Sequence, residues 1–202
     1  INPYPSKFHK KNLASDILEK YKKVKTEEKT LEKVSIAGRI MTHRILGKAG
    51  FAHIQDSTGQ IQIYARQDDL GQKEYELFSG SDLGDIVGIT GNIFRTKKGE
   101  LSVWTKNFQL LEKNLRPLPE KWHGLKNTEL RYRKRYVDLI TNPEVKEVFL
   151  KRSNIISSMR DFLVKNGFIE VETPVIQPIY GGTNARPFKS FLNNLKMDVY
   201  LR

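Results

Sequence analysis

The chain has 202 residues, 38% of them hydrophobic, enough to bury one moderate core or two small ones. Without cysteine it can form neither disulfides nor thiolate metal sites, and no apolar run is long enough to cross a bilayer or to serve as a signal peptide. A balance of 35 basic against 23 acidic residues gives a net charge of +12, which points to a polyanionic partner such as a nucleic acid.

Residues 1–11 (INPYPSKFHKK) hold two prolines and no periodicity, and read as an extended arm. Leu13, Ile17, Leu18, Tyr21 and Val24 then recur at helical spacing, with Asn12 or Ser15 as the cap; the lysines opposite suit a solvated face or a phosphate-facing one equally. From Val34 the period changes to two. VSIAGRI, FAHIQD, IQIYA, DIVGITGNIF and ELSVW alternate apolar with polar residues between turn signals at Gly47 to Gly50, Asp56 to Gly59 and Lys97-Lys98-Gly99. Five short strands, with a helix at about 68–79 between the third and fourth, match a Greek-key barrel of the oligonucleotide-binding (OB) type; a sandwich or another meander is the alternative.

The pleat assigns the faces. With Ala52, Ile54, Ile61 and Ile63 inward, Phe51, His53, Gln60, Gln62 and Tyr64 point outward. Rings and carboxamides would share one surface, where rings stack on unpaired bases and an amide reads a base edge. A phenylalanine that only packs beneath a loop would look the same. The four histidines (His9, His43, His53, His123) show no ligand spacing, so no metal site is expected.

Residues 95–135 hold 12 basic and 4 acidic residues, so +8 of the +12 excess lies in one fifth of the chain. Within them, 114–137 combine two prolines, a glycine and the cluster RYRKRY. They read as a linker whose cations face either a nucleic-acid backbone or carboxylates. Asn142-Pro143 opens a long helix, with Val145, Val148, Phe149, Ile155, Ile156, Met159, Phe162 and Leu163 at helical spacing and Gly167 as its stop. Its apolar stripe is wider than the remaining residues can cover, the usual mark of a subunit interface. A strand ending at Pro174 is expected next.

These segments together carry a resemblance. INPYP, AGRI at 37–40, KKGELS at 97–102, RPLPEKWHGLKNTELRYRKRYVDL at 116–139, GFIEVETP at 167–174 and GGTNARPF at 181–188 resemble the class II lysyl-tRNA synthetases, in order and spacing. GFIEVETP is similar to the family's motif 1. The resemblance implies an α+β chain, an OB-fold β-barrel followed by the beginning of the antiparallel-sheet catalytic domain. Its parts would be an N-terminal arm and helix (1–30), the anticodon-binding OB domain (31–113), a hinge (114–141) and the start of the catalytic domain (142–202).

It further implies ATP-dependent activation of lysine with Mg²⁺, transfer to tRNA(Lys), and a cytoplasmic homodimer. In this reading Arg44, Phe51, Gln62 and Glu100 bind the anticodon, His43 stands where relatives often carry arginine, and Phe168, Val171 and Pro174 form the dimer interface. Gly182 lies against bound lysine, since glycine lets backbone approach closely. The arginine of motif 2, motif 3 and the acidic groups for Mg²⁺ are expected beyond Arg202, so no catalytic residue is assigned. An aspartyl or asparaginyl enzyme of the same subgroup, and a non-catalytic tRNA-binding module, are the rival readings.

Overall fold

The computed structural model describes residues 5, 7–119, 125–181 and 186–201. The chain divides into two compact units, Ile1–Thr141 and Asn142–Arg202.

The first unit is built on β1 (Lys29–Leu46), β2 (Ala49–Gln55), β3 (Gln60–Arg66), β4 (Ile86–Arg95) and β5 (Leu101–Glu112). They close into a barrel in the order β1-β2-β3-β5-β4, with β4 returning to β1. Every pairing is antiparallel except β3 with β5, which run parallel. This is the OB arrangement, and closure leaves no open sheet edge around the ring.

The period-two pattern explains the core. Ala52, Ile54, Ile61 and Ile63 are each at most 1% exposed, while their sequence neighbours stay partly or fully accessible. Gly91 lies where β4 crosses β5 so closely that a Cβ would stand 2.0 Å from the Trp104 carbonyl oxygen. The expected helix between the third and fourth strands divides at Gly71 into α2 (Gln67–Leu70) and α3 (Gln72–Ser79). From α3 the ring of Phe78, fully buried, meets Phe108 edge-on at 5.6 Å. Buried Asp85 accepts from Asn114 N (2.7 Å), Asp82 N (2.8 Å) and Lys113 Nζ (2.9 Å), tying the start of β4 to the chain after β5.

The N-terminal helix α1 (Ala14–Lys20) is capped differently from the expectation. Neither Asn12 nor Ser15 closes it. Asp56 Oδ2 accepts from Ala14 N (2.9 Å) and Thr58 Oγ1 from Ser15 N (3.1 Å), so the β2–β3 turn supplies both acceptors. Asn12 Oδ1 accepts instead from Ser35 N at 2.9 Å. The helix also stops short of Val24, whose side chain packs on the core from the following turn.

Helices α4 (Thr128–Arg133) and α5 (Arg135–Thr141) occupy the segment expected to be a linker. Asn127 Oδ1 caps α4 by accepting from Leu130 N at 2.9 Å. Two of the clustered cations are used internally: Arg131 Nε lies 2.9 Å from fully buried Asp138, which Arg135 also pairs.

In the second unit α6 spans Pro143–Lys165, 23 residues and about 35 Å. Asn142 stands at its N-cap with Pro143 in the first turn, though the Asn142 side chain does not close the cap. At the other end Gly167 adopts φ +84°, and Phe168 N donates to Leu163 O at 3.1 Å, a glycine-terminated stop. The strand expected up to Pro174 does not form. Residues 168–175 take no strand conformation, though Glu170 pairs with Arg160 of α6 at 3.0 Å, and the two-residue β6 (Ile176–Gln177) follows. A strand exists through its neighbour's hydrogen bonds, and among the described residues no strand runs beside it. With β7 (Lys189–Leu192) and β8 (Met197–Leu201), β6 makes an antiparallel sheet in the order β6-β8-β7. No helix among the described residues is long and apolar enough to cross a membrane.

Candidate nucleic-acid interface

The barrel's register sets the site. Across β2 and β3, Phe51 faces Tyr64 and His53 faces Gln62; across β3 and β5, Gln62 faces Ser102 and Tyr64 faces Trp104. Because side chains alternate, these residues share the outer face of the barrel in two parallel rows, with Ser102 fully buried beneath its neighbours. One row is aromatic. Phe51 and Tyr64 lie 4.7 Å apart, tilted by 31°, and Trp104 meets Tyr64 edge-on at 5.3 Å. Phe94, on β4, closes the group at 5.2 Å from Trp104.

The other row is polar and linked by hydrogen bonds within itself. Glu100 receives a donor on each carboxylate oxygen: His53 Nε2 at 2.7 Å on Oε1 and Gln62 Nε2 at 2.6 Å on Oε2. Gln62 Oε1 accepts from Ser102 Oγ at 2.7 Å. Thr42 Oγ1 accepts from His53 N at 3.1 Å and lies 2.7 Å from His53 Nδ1. The carboxylate requires a proton on Nε2, so in the neutral ring Nδ1 is the acceptor and the Thr42 hydroxyl donates to it.

Glu100 sits just past the β4–β5 turn, which Arg95 braces by donating from its Nη1 to Gly99 O (2.7 Å) and from its Nε to Val24 O (2.6 Å). Thr96 Oγ1 accepts from Glu100 N at 3.1 Å. The two rows line an open groove of about 940 Å³ with Arg44, Lys97 and Lys98 around it. Cations at the rim, rings on the floor and a fixed donor–acceptor row suit a single-stranded nucleic acid.

Sequence reasoning placed Arg44, Phe51, Gln62 and Glu100 here, and all four line this groove. Arg44 is exposed and pairs in register with Phe51. His43 also borders the groove, but its ring is turned the other way. It shares the inward face with Ala52 and meets the Phe78 ring at 4.8 Å. Burial holds its imidazole below the usual histidine range against smaller opposing pulls from the Ser81 backbone, Asp82 and Asp85.

Phe94, Trp104, Ser102 and Thr42 were missed. Trp104 and Ser102 come beside the site through the parallel β3–β5 pairing, which local alternation in one strand does not reveal. Trp104 is braced by Asp69, which accepts from its Nε1 at 2.9 Å, and by Lys29, whose Nζ lies 3.9 Å from the ring centroid. Burial, then the neighbouring Lys106, lowers the Lys29 ammonium below its usual range, with Asp69 pulling the other way.

In the second unit Phe168 and Val171 are 63% and 70% exposed, and Pro174 is exposed as well. Gly182 lies outside the described residues. Among the described residues no group of three or more His, Asp or Glu side chains is placed to hold a metal ion.

Residues 34–111 match the profile of the OB-fold nucleic acid binding domain, and residues 127–202 that of the class II tRNA synthetases (D, K and N). Over its full length the chain is 55% identical to a lysine–tRNA ligase of Carboxydothermus hydrogenoformans, of which it covers 40%. It is 54% identical to that of Oceanobacillus iheyensis, covering 41%, and 55% identical to that of Syntrophomonas wolfei, covering 40%. The chain thus spans about two fifths of the length of these curated relatives.

Proposed function

We propose that the chain is the tRNA-reading and dimer-forming portion of a cytoplasmic lysine–tRNA ligase of the class II D, K and N group, a reading supported by the family match over residues 127–202 and by the 55% identity to a lysine–tRNA ligase. The whole enzyme would activate lysine with ATP and pass it to tRNA(Lys). Residues 31–113 would hold the anticodon, 114–141 form the hinge, and 142–202 begin the catalytic domain. Among the described residues no group of three or more acidic or histidine side chains is placed to hold Mg²⁺, and no chemical step is routed through them.

The observation that carries the reading is the Gln62–Glu100 pair beside the Phe51 ring. Lysine codons AAA and AAG demand anticodons UUU and CUU, so two uridines are invariant. Uracil presents an N–H donor next to a carbonyl acceptor. Gln62 has one amide N–H uncommitted, and Glu100 retains lone pairs on both oxygens, the complementary pattern. Cytosine reverses the order and would set its bare N3 against the carboxylate. Phe51 would stack on one base, and Arg44 would meet the backbone charge.

Phe168, Val171 and Pro174, with the exposed stripe of α6, would form an isologous dimer interface. Gly182 would lie against the lysine substrate, where a side chain would intrude.

Binding of anticodon stem-loops tests the proposal. A UUU loop is expected to bind more tightly than loops with C at the second or third anticodon position. Phe51→Ala should weaken every loop by about 1–3 kcal/mol, whereas Gln62→Ala should mainly erode the preference. Equal affinity of the unmutated protein for all loops would refute anticodon reading by this barrel.

A further inference from the structure

We infer that His53 is a positioning residue for the base reader, holding the Glu100 carboxylate so that its free lone pairs face an incoming base. The inference rests on the anticodon reading proposed above and adds a specificity-determining residue to it.

A glutamate side chain has three freely rotating bonds, and Glu100 is partly exposed, with 46% of its side chain accessible. Such a group discriminates between bases only when its oxygens are held, because a mobile carboxylate swings away from an unfavourable acceptor at little cost. Two partners hold it. Gln62 is one, but its amide is itself offered to the base. His53 is the other, and it serves no base directly in this arrangement. Its Nε2–H is spent on Oε1 at 2.7 Å, and its Nδ1 is spent on the Thr42 hydroxyl at 2.7 Å.

Thr42 belongs to β1, His53 to β2, Gln62 to β3, and Glu100 follows the β4–β5 turn. The chain of hydrogen bonds therefore runs across the barrel wall and ties a turn residue to three strands. Thr42 is fixed in turn by the His53 backbone N–H at 3.1 Å, so the ring cannot flip without leaving that hydroxyl's proton unpaired. The imidazole acts as a rigid strut with one defined tautomer, which a longer and more flexible side chain cannot match.

The test uses the full-length protein and stem-loops carrying UUU or a single U→C replacement. His53→Leu should lower the preference for uridine over cytidine at the position facing Glu100 by about tenfold, the scale of one hydrogen bond to a charged group. Binding of unstructured RNA without sequence preference should fall by much less than the uridine preference, because rings and rim cations remain. His53→Gln, whose amide N–H reaches a similar distance without the rigidity of the ring, should recover only part of the preference.

Should His53→Leu fail to fold, nitrogen-15 spectra of the unmutated protein in mildly alkaline solution decide. A protonated Nε2 with bare Nδ1 is expected, and the opposite tautomer overturns the inference. A folded His53→Leu protein that discriminates as well as the parent overturns it too, while leaving the anticodon reading intact. An unmutated protein without any preference removes both.

Discussion

The barrel and the unit that follows it are similar in hydrophobic content but opposite in what they do with it. Among the described residues every buried hydrophobic side chain except Val145 and Val199 lies between Ala14 and Phe108. In the second unit Phe162 (66%), Val171 (70%), Ile169 (85%) and Phe188 (80%) stay open to solvent. The difference is one of closure. A barrel pairs each strand on both sides and turns every second side chain into a shared interior, so its pattern is consumed locally. A lone helix and a three-stranded open sheet have no such interior, and their apolar faces are available to something else.

The largest expected effect sharpens that contrast. Phe78→Ala should cost about 3–5 kcal/mol in denaturant unfolding of the barrel, since the ring is fully buried against other rings. Phe162→Ala in this same chain should change stability by no more than about 0.5 kcal/mol. A large loss at Phe162 would break the comparison, because the α6 stripe would then have to be covered within the chain.

Next in size is Val171→Asp in the full-length protein. If this face is a subunit interface, sedimentation should show the dimer dissociating about thirtyfold or more easily, equivalent to about 2 kcal/mol, the threshold of an interface hot spot. Unaltered assembly would leave the exposed face to another partner.

A smaller effect concerns how the barrel holds its N-terminal helix. Burial raises the Asp56 pKa, but the Thr58 hydroxyl, the Ala14 and Thr58 backbone N–H groups and Lys10 outweigh it and bring it from 3.8 to about 2. A depressed carboxylate contributes stability above its unfolded pKa and loses it as pH falls through the folded value. Unfolding free energy should therefore decline by about 2 kcal/mol between roughly pH 4 and pH 2. Asp56→Asn should flatten that slope and cost about 1 kcal/mol at neutral pH through the weakened cap. A slope identical to the parent's would mean that α1 is held by packing alone.

The smallest effect is at the groove rim. Lys98→Ala should weaken RNA binding by a few tenths of a kcal/mol at moderate salt and reduce the salt slope by about one. A larger, base-dependent loss would move recognition from the strand rows to the turn.

Much of the barrel was legible because alternation is a local code. Ala52, Ile54, Ile61 and Ile63 could be set inward, and Phe51 and Gln62 outward, from spacing alone. The long helix was equally legible, from Pro143 through Leu163 to the stop at Gly167, since a start, a stripe and an end are all short-range signals. Other features needed the third dimension. The cap of α1 comes from residues more than 40 positions away, at Asp56 and Thr58. The direction of His43 depends on an irregularity between Ile40 and Thr42 that shifts the β1 register. The strand expected before Pro174 depended on a neighbour that the described residues do not provide.

By itself the sequence determined which residues could face a core, which could face a nucleic acid, and which family they resemble, because periodicity and motif are carried by adjacent positions. Only the tertiary structure decided that Thr42, His53, Gln62, Glu100 and Ser102 share one hydrogen-bonded row, and that Trp104 joins the rings of Phe51 and Tyr64. Those meetings depend on which strand closes the barrel against which, a choice made by long-range pairing and backbone hydrogen bonding rather than by any local stretch of the chain.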